Sequence, residues 1–300
     1  MYDIYAILDD LKSSRIKKVV LDSDTYNEED DQFAVAYAML SPDSIELIAL
    51  QAAPFHNGNS SGPEDGMLKS YAELRKIAAM TNPDYTVPIY EGSRRFLGGR
   101  ETPVNSPATE NLIALAKQTE ERIYVVCIGA ITNIASAILL YPAIKDKIVV
   151  VFLGSHAEYT HERNEFNMAQ DIAAAQTVFD SGVPMVLLPA LGGTVDLRVS
   201  QPELDAHLSK KNELCDYLVN LVRKRCCLGI GGTKVIWDIG GVAAVSLPGS
   251  MTLTVSPTPI VTRESYCVYR QDRHPMILAS RLNRDIIFRD MFIRLAEKPR

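Results

Sequence analysis

Ten consecutive residues, Asp22-Ser23-Asp24-Thr25-Tyr26-Asn27-Glu28-Glu29-Asp30-Asp31, hold six carboxylates. They close one apolar run, Ile16 to Leu21 (IKKVVL), and open another, Asp31 to Leu40 (DQFAVAYAML). The first run has the β-branched character of a buried strand; the second is apolar nearly all round, as a buried helix is. Six like charges this close repel one another. A helix N-terminus relieves about 0.3–1 kcal/mol per charge. A cation relieves far more, and ligands that are all oxygen select a hard one, Ca²⁺ or Mg²⁺. A solvated acidic helix cap accounts for Glu28 and Glu29, but not for Asp22 and Asp24 at the very end of a buried strand. The segment reads as the divalent-metal and active-site loop of a hydrolase.

Two metal or phosphate motifs begin in the same way. An EF-hand loop opening at Asp22 needs Gly at its sixth position and Glu at its twelfth, where this chain has Asn27 and Phe33. A haloacid-dehalogenase-type, Mg²⁺-dependent phosphohydrolase would use Asp22 as nucleophile and Asp24 as acid. Tyr26 stands where that pattern has Thr or Val, and no Gly-Asp-Gly or Asp-Asp motif follows. It is kept as the alternative.

The elements that must position this loop follow from periodicity. Apolar strands are expected over Ser44 to Ala53, Ile123 to Ile128, Ile148 to Leu153 and Pro184 to Leu188. Helices are expected over Gly66 to Met80, Ala108 to Gln118, Leu140 back to a Thr132-Asn133 cap, and Asp171 to Asp180 with Gly182 as its stop. Near-continuous Val/Ile/Leu strands alternating with helices predict an α/β fold: a single open, mostly parallel sheet with helices on both faces. From about Met251 the short polar strands TLTVSP and SYCVYR predict a peripheral C-terminal hairpin, and a last helix is expected from Asp285 to Ala296. No linker or repeat divides the chain, so residues 1–300 read as one domain. In such sheets ligands bind beyond the carboxyl ends of the strands, where the aspartate loop, the Gly129 turn and the Gly154 turn all fall.

Strand-Asp-x-Asp, a short gap, Asp-Asp and a buried helix together resemble the inosine-uridine-preferring nucleoside hydrolases. Three later segments are similar to that family in the same order: Ile128-Gly129-Ala130-Ile131-Thr132-Asn133-Ile134-Ala135, Glu165-Phe166-Asn167, and Asp238 in Val235-Ile236-Trp237-Asp238. The resemblance implies that Asp24 ligates Ca²⁺ and serves as general base toward water. Asp31, Asp238 and the backbone carbonyl of Ile128 would be further ligands, with Asp22 left to orient the loop. Asp30 would take a ribose hydroxyl, and Asn57, Glu165 and Asn167 the remaining ones. Glu165 and Asn167 also suit a helix-entry cap. The implied reaction is hydrolysis of an N-glycosidic bond through an oxocarbenium-like sugar, which carboxylates stabilise.

The chain departs from the family in two places. Five residues, Thr25 to Glu29, separate Asp24 from Asp30 where the family has three, so Glu28 or Glu29 could compete for the metal. The position before the C-terminal aspartate is often His and is here Trp237, the only tryptophan. Trp237 could stack on a nucleobase or simply pack in the core. His56 and His156, in loops expected to face the site, are the candidate acids for the leaving group, against the blander reading that each is merely solvated. A non-catalytic riboside- or metal-binding homologue is the third reading.

The net charge of −6 with scattered Lys and Arg offers no basic stripe for nucleic acid. No window has the length of an apolar membrane span. Five cysteines without metal-knuckle spacing point to a reduced, cytoplasmic compartment. The expected partners are a small-molecule nucleoside or riboside and, from the resemblance, a second or fourth copy in a homo-dimer or homo-tetramer.

Overall fold

A computed structural model describes residues 3–82, 84 and 86–297. The chain opens with α1 (Ile4–Lys12), β1 (Lys17–Ser23), α2 (Asp31–Met39), β2 (Ile45–Ala52), α3 (Pro63–Thr81), β3 (Ile89–Tyr90) and α4 (Pro107–Gln118). It continues with β4 (Ile123–Cys127), α5 (Thr132–Leu140), β5 (Ile148–Leu153), α6 (Phe166–Gln170), α7 (Ile172–Asp180) and β6 (Met185–Leu188). Then come β7 (Arg198–Val199), α8 (Gln201–His207), α9 (Glu213–Cys226), β8 (Lys234–Val235) and α10 (Ile239–Ser246). The last elements are β9 (Thr252–Pro257), β10 (Ile260–Val261), β11 (Cys267–Val268), β12 (Pro275–Ser280) and α11 (Arg284–Ala296).

Eight strands form one sheet in the order β3-β2-β1-β4-β5-β6-β12-β9. Every neighbouring pair is parallel except β12 with β9. The strands can be continuous apolar runs because both faces are covered. Along β5, Val149, Val151 and Leu153 enter one core with α2, α9, α10 and α11, while Ile148, Val150 and Phe152 enter the other with α4, α5 and α7. The period-two alternation of a strand thus serves two cores.

The C-terminal region differs from expectation. The runs TLTVSP and SYCVYR do not pair with each other. β9 pairs antiparallel with β12 over Thr252–Pro257 and closes the edge of the main sheet. Within SYCVYR only Cys267–Val268 is strand, paired with β10 in a separate two-stranded ribbon. The reason lies in β12, whose buried Met276, Ile277 and Ala279 continue the apolar sheet beyond β6 and offer β9 a longer partner. Thr132 and Asn133 do not cap α5. Ile131 precedes α5 without a side-chain cap, and both polar side chains reach elsewhere: Thr132 Oγ1 donates to Asp171 Oδ2 and Asn133 Nδ2 to Asp22 Oδ2.

Candidate active site

The carboxyl ends of β1, β4 and β5 meet at one cleft, as the topology requires. Its lining includes Asn27, Glu28 and Asp30 from the aspartate loop, with Ile128, Leu153 and His156 from the strand ends. Asn164, Glu165, Phe166 and Asn167 stand on another side, and Ala190, Trp237 and Asp238 complete a space of about 180 Å³.

Asp24 lies next to Asp30 and Asp31 and does not itself line the cleft. It is fully buried, and neither carboxylate oxygen receives a hydrogen bond from any described residue. A buried carboxylate without donors is costly. Burial first, then the charges of Asp31 and Asp30, hold its pKa well above the ordinary carboxylate value. Gly129 is what lets Asp24 sit there: a Cβ on it would lie 2.9 Å from Asp24 Cγ and 3.0 Å from Asp24 N.

Asp30, Asp31 and Asp238 are buried beside it, each offering an oxygen within 4.8 Å of the others. Asp31 Oδ1 accepts from Ser23 Oγ at 2.6 Å, which aims the carboxylate from the end of β1. Asp30 Oδ2 accepts from the backbone N–H of Trp237 at 3.1 Å. Burial raises all three, pushing Asp30 to about 6 against the opposing charge of Lys234. Three converging buried carboxylates, with the donorless Asp24 next to them, are a donor set of oxygen alone. They fit a hard divalent cation.

Asp22 is buried behind this group and does not line the cleft. Asn133 Nδ2 donates to it at 2.7 Å, the Cys127 thiol at 3.8 Å, and burial pushes its carboxyl up to about 7.

The extra length of the loop is held by cations. Lys234 Nζ pairs with Glu28, with Glu29 at 3.7 Å and with Asp30 at 3.7 Å; Arg225 Nε pairs with Glu29 at 2.8 Å. Glu28 and Glu29 therefore have counter-ions of their own. Asn57 fastens the same loop from another side, its Nδ2 donating to Asn27 Oδ1 at 2.5 Å. Neither Asn57 nor His56 lines the cleft. His56 is exposed, and its backbone N–H donates to Gln170 Oε1 at 2.6 Å.

Glu165 lines the cleft and caps α6 as well. Its oxygens accept from the N–H groups of Ser155, Asn167 and Met168 at 2.9–3.0 Å, while burial pushes it up to about 7. Asn167 Nδ2 donates to the carbonyls of Ile128 at 3.2 Å and Leu153 at 3.0 Å, tying two strand ends together. The Ile128 carbonyl keeps a second lone pair. His156 is half-buried, accepts from the Leu191 N–H at Nδ1 over 3.3 Å, and has its pKa lowered by burial. Trp237, half-buried, both packs against the core and lines the cleft. Lys234, Arg225 and Asn164 are not among the residues that the sequence singles out. For Lys234 only the surplus of acid in the loop hinted that a cation was needed.

The family model of the inosine-uridine preferring nucleoside hydrolases matches residues 19–267. The chain is 26% identical over 197 residues to the pyrimidine-specific ribonucleoside hydrolase RihB of Escherichia coli (strain SE11), covering 57% of this chain and 59% of that one. It is likewise 26% identical over 194 residues to RihA of Enterobacter sp. (strain 638), 56% and 58% covered. It thus spans under two thirds of the length of these relatives. Among solved structures, the inosine-uridine preferring nucleoside hydrolase from Bacillus anthracis superposes with a TM-score of 0.75 at 19% identity, covering 95% of this chain and 100% of that one. The purine-preferring ribonucleoside hydrolase from Gardnerella vaginalis gives 0.71 at 21% identity, with 94% and 98% covered. These likenesses bear on the fold. By the extent of the family match, the chain belongs to the inosine-uridine preferring nucleoside hydrolase family.

Proposed function

We propose that the protein hydrolyses the N-glycosidic bond of a ribonucleoside or related riboside, with Ca²⁺ held by Asp24, Asp31, Asp238 and the Ile128 carbonyl. The observation that carries this reading is Asp24: a fully buried carboxylate with no donor on either oxygen, next to Asp30 and Asp31 and behind a cleft lined by Asp30, Glu165 and Asp238. The bound ion would supply positive charge that lowers the pKa of water, less strongly than zinc does. That leaves a carboxylate base necessary, and Asp24 is the residue proposed to take the proton.

Positive charge develops on the sugar as the C–N bond breaks. The cleft meets it with Asp30, Glu165 and Asp238, fixed before reaction by the burial and hydrogen bonds described above. Asp30, oriented by the Trp237 N–H, accepts a ribose hydroxyl. Asn167, whose amide nitrogen is engaged by two carbonyls, presents its oxygen to another hydroxyl. Trp237 offers a face for the aglycone, and His156 is the remaining candidate to protonate a neutral base.

The test is chromatographic. Protein with bound calcium is incubated with a panel of N-ribosides, and free base is quantified with and without chelator. Release that stops on chelation supports the proposal. No release from any N-riboside would sink it, and binding without turnover would make the chain a non-catalytic homologue.

A further inference from the structure

Two buried hydroxyls bridge the lengthened loop between Asp24 and Asp31, and the reaction derived above uses neither. Ser23, the last residue of β1, is fully buried, and its carbonyl accepts from the Ala53 N–H at 2.8 Å. Thr25, equally buried, lies in a turn that the Asn27 N–H closes on the Asp24 carbonyl at 2.7 Å. Asp31 is the first residue of α2. Strand, turn and helix thus bring three buried side chains together across the loop. Ser23 Oγ stands 2.6 Å from Asp31 Oδ1 and 2.6 Å from Thr25 Oγ1.

The available protons give this chain a direction. A serine hydroxyl has one proton to donate, and a metal-ligating carboxylate has none. The Ser23 proton therefore goes to Asp31, and the proton between the two hydroxyls belongs to Thr25. The separation of Ser23 from Asp31 is the length of a charge-assisted O–H···O⁻ bond. A donor behind Ser23 polarises its hydroxyl and strengthens that bond where water is excluded. Among the described residues, Thr25 Oγ1 has no hydrogen-bond partner other than Ser23.

We propose that Thr25 is a positioning residue for the metal: through Ser23 it aims the Asp31 carboxylate at the cation, beside Asp30 and Asp238. The relay bears on metal binding only if Asp31 is a ligand, as the ribohydrolase reading above has it. Five residues of loop between Asp24 and Asp30 leave the end of β1 and the start of α2 free to shift against each other. The two hydroxyls in series fix one to the other at the carboxylate itself. Thr25 therefore matters to the metal only while Ser23 is present.

The calcium affinity of the full chain is measured by isothermal titration calorimetry. Ser23→Ala is expected to weaken it about 10- to 100-fold, and Thr25→Val, which keeps the branched shape without the hydroxyl, about ten-fold. Thr25→Ser keeps the donor and should stay within about three-fold of the native chain. Ser23→Ala with Thr25→Val should be no weaker than Ser23→Ala alone, because the second hydroxyl acts through the first. Thermal melting identifies any variant that fails to fold, and Thr25→Ala takes the place of Thr25→Val if that one does. An affinity that loss of the Thr25 hydroxyl leaves unchanged overturns the relay and leaves the ribohydrolase reading standing. So does an equal loss with and without Ser23, which would assign Thr25 to the turn alone, or a Thr25→Ser as weak as Thr25→Val. A native chain that binds no calcium overturns the calcium site proposed above, and the relay with it.

Discussion

Removing the metal should invert the usual pH dependence of stability. Without a cation, the native state holds carboxyls whose pKa values burial has raised: Asp22 and Glu165 to about 7, Asp30 to about 6, and Asp24, Asp31 and Asp238 well above 3.8. In the unfolded chain these groups ionise near pH 4. Between about pH 5 and 7 the native state therefore binds more protons than the unfolded one, and its stability falls as pH rises. Asp22 and Glu165, both buried, each contribute about 1.4 kcal/mol per pH unit in the middle of that window, so together about 3 kcal/mol between pH 5 and 6. The half-buried His156 and His274, lowered by burial, act in the opposite sense below about pH 6.5 and so offset part of this fall within the same interval. At roughly 2 °C per kcal/mol for a chain of this size, metal-free Tm should drop by about 5 °C from pH 5 to 6. Bound calcium keeps its ligands ionised, so the gap between loaded and chelated protein should widen with pH. Thermal melts at pH 5, 6 and 7, with calcium or chelator, decide it. A metal-free Tm that is flat or rises over this range would overturn this expectation.

Four further outcomes are expected. Gly129→Ala sets a methyl 2.9 Å from Asp24 Cγ and should cost about 1–3 kcal/mol in urea denaturation, with calcium affinity reduced at least about ten-fold by calorimetry. Lys234→Met strips Glu28, Glu29 and Asp30 of their shared cation and should destabilise by about 2–3 kcal/mol in the same assay. Asn133→Ala leaves the Asp22 carboxylate short of a donor and Ser93 short of its acceptor, for about 2–4 kcal/mol measured by thermal melting. Asp24→Asn should raise the Tm of the metal-free protein, because a buried carboxylate without donors is gone, while calcium-induced stabilisation collapses.

The aspartate loop was legible because its chemistry is local: charges stand directly on the end of a buried strand and the start of a buried helix. The parallel sheet was legible for the same reason, since each apolar run declares itself. What escaped depends on distant partners. Lys234 sits in a Gly-Gly-Thr-Lys-Val stretch that reads as a loop, yet its ion pairs lie some two hundred residues away. β12 is buried by β6 and β9, and no local alternation marks which run β9 will choose. α10 was missed because Gly240 and Gly241 are poor helix formers that tertiary packing overrides, with Gly241 lying against Val126 and Ile128. Thr132 and Asn133 have the residue types of a cap, and only the fold reveals that Asp171 and Asp22 claim them. His56 and Asn57 come from a loop that reaches Asn27, but loop position does not determine where a side chain points.

The most direct test of the central claim compares the calcium-loaded protein with Asp24→Asn in one assay that counts ribose and free base released from the same riboside. Equimolar ribose and base are expected from the native chain, with a loss of at least about a thousand-fold in Asp24→Asn with the fold intact. Equal turnover by the two proteins, or no ribose from the native chain on any riboside, would contradict it.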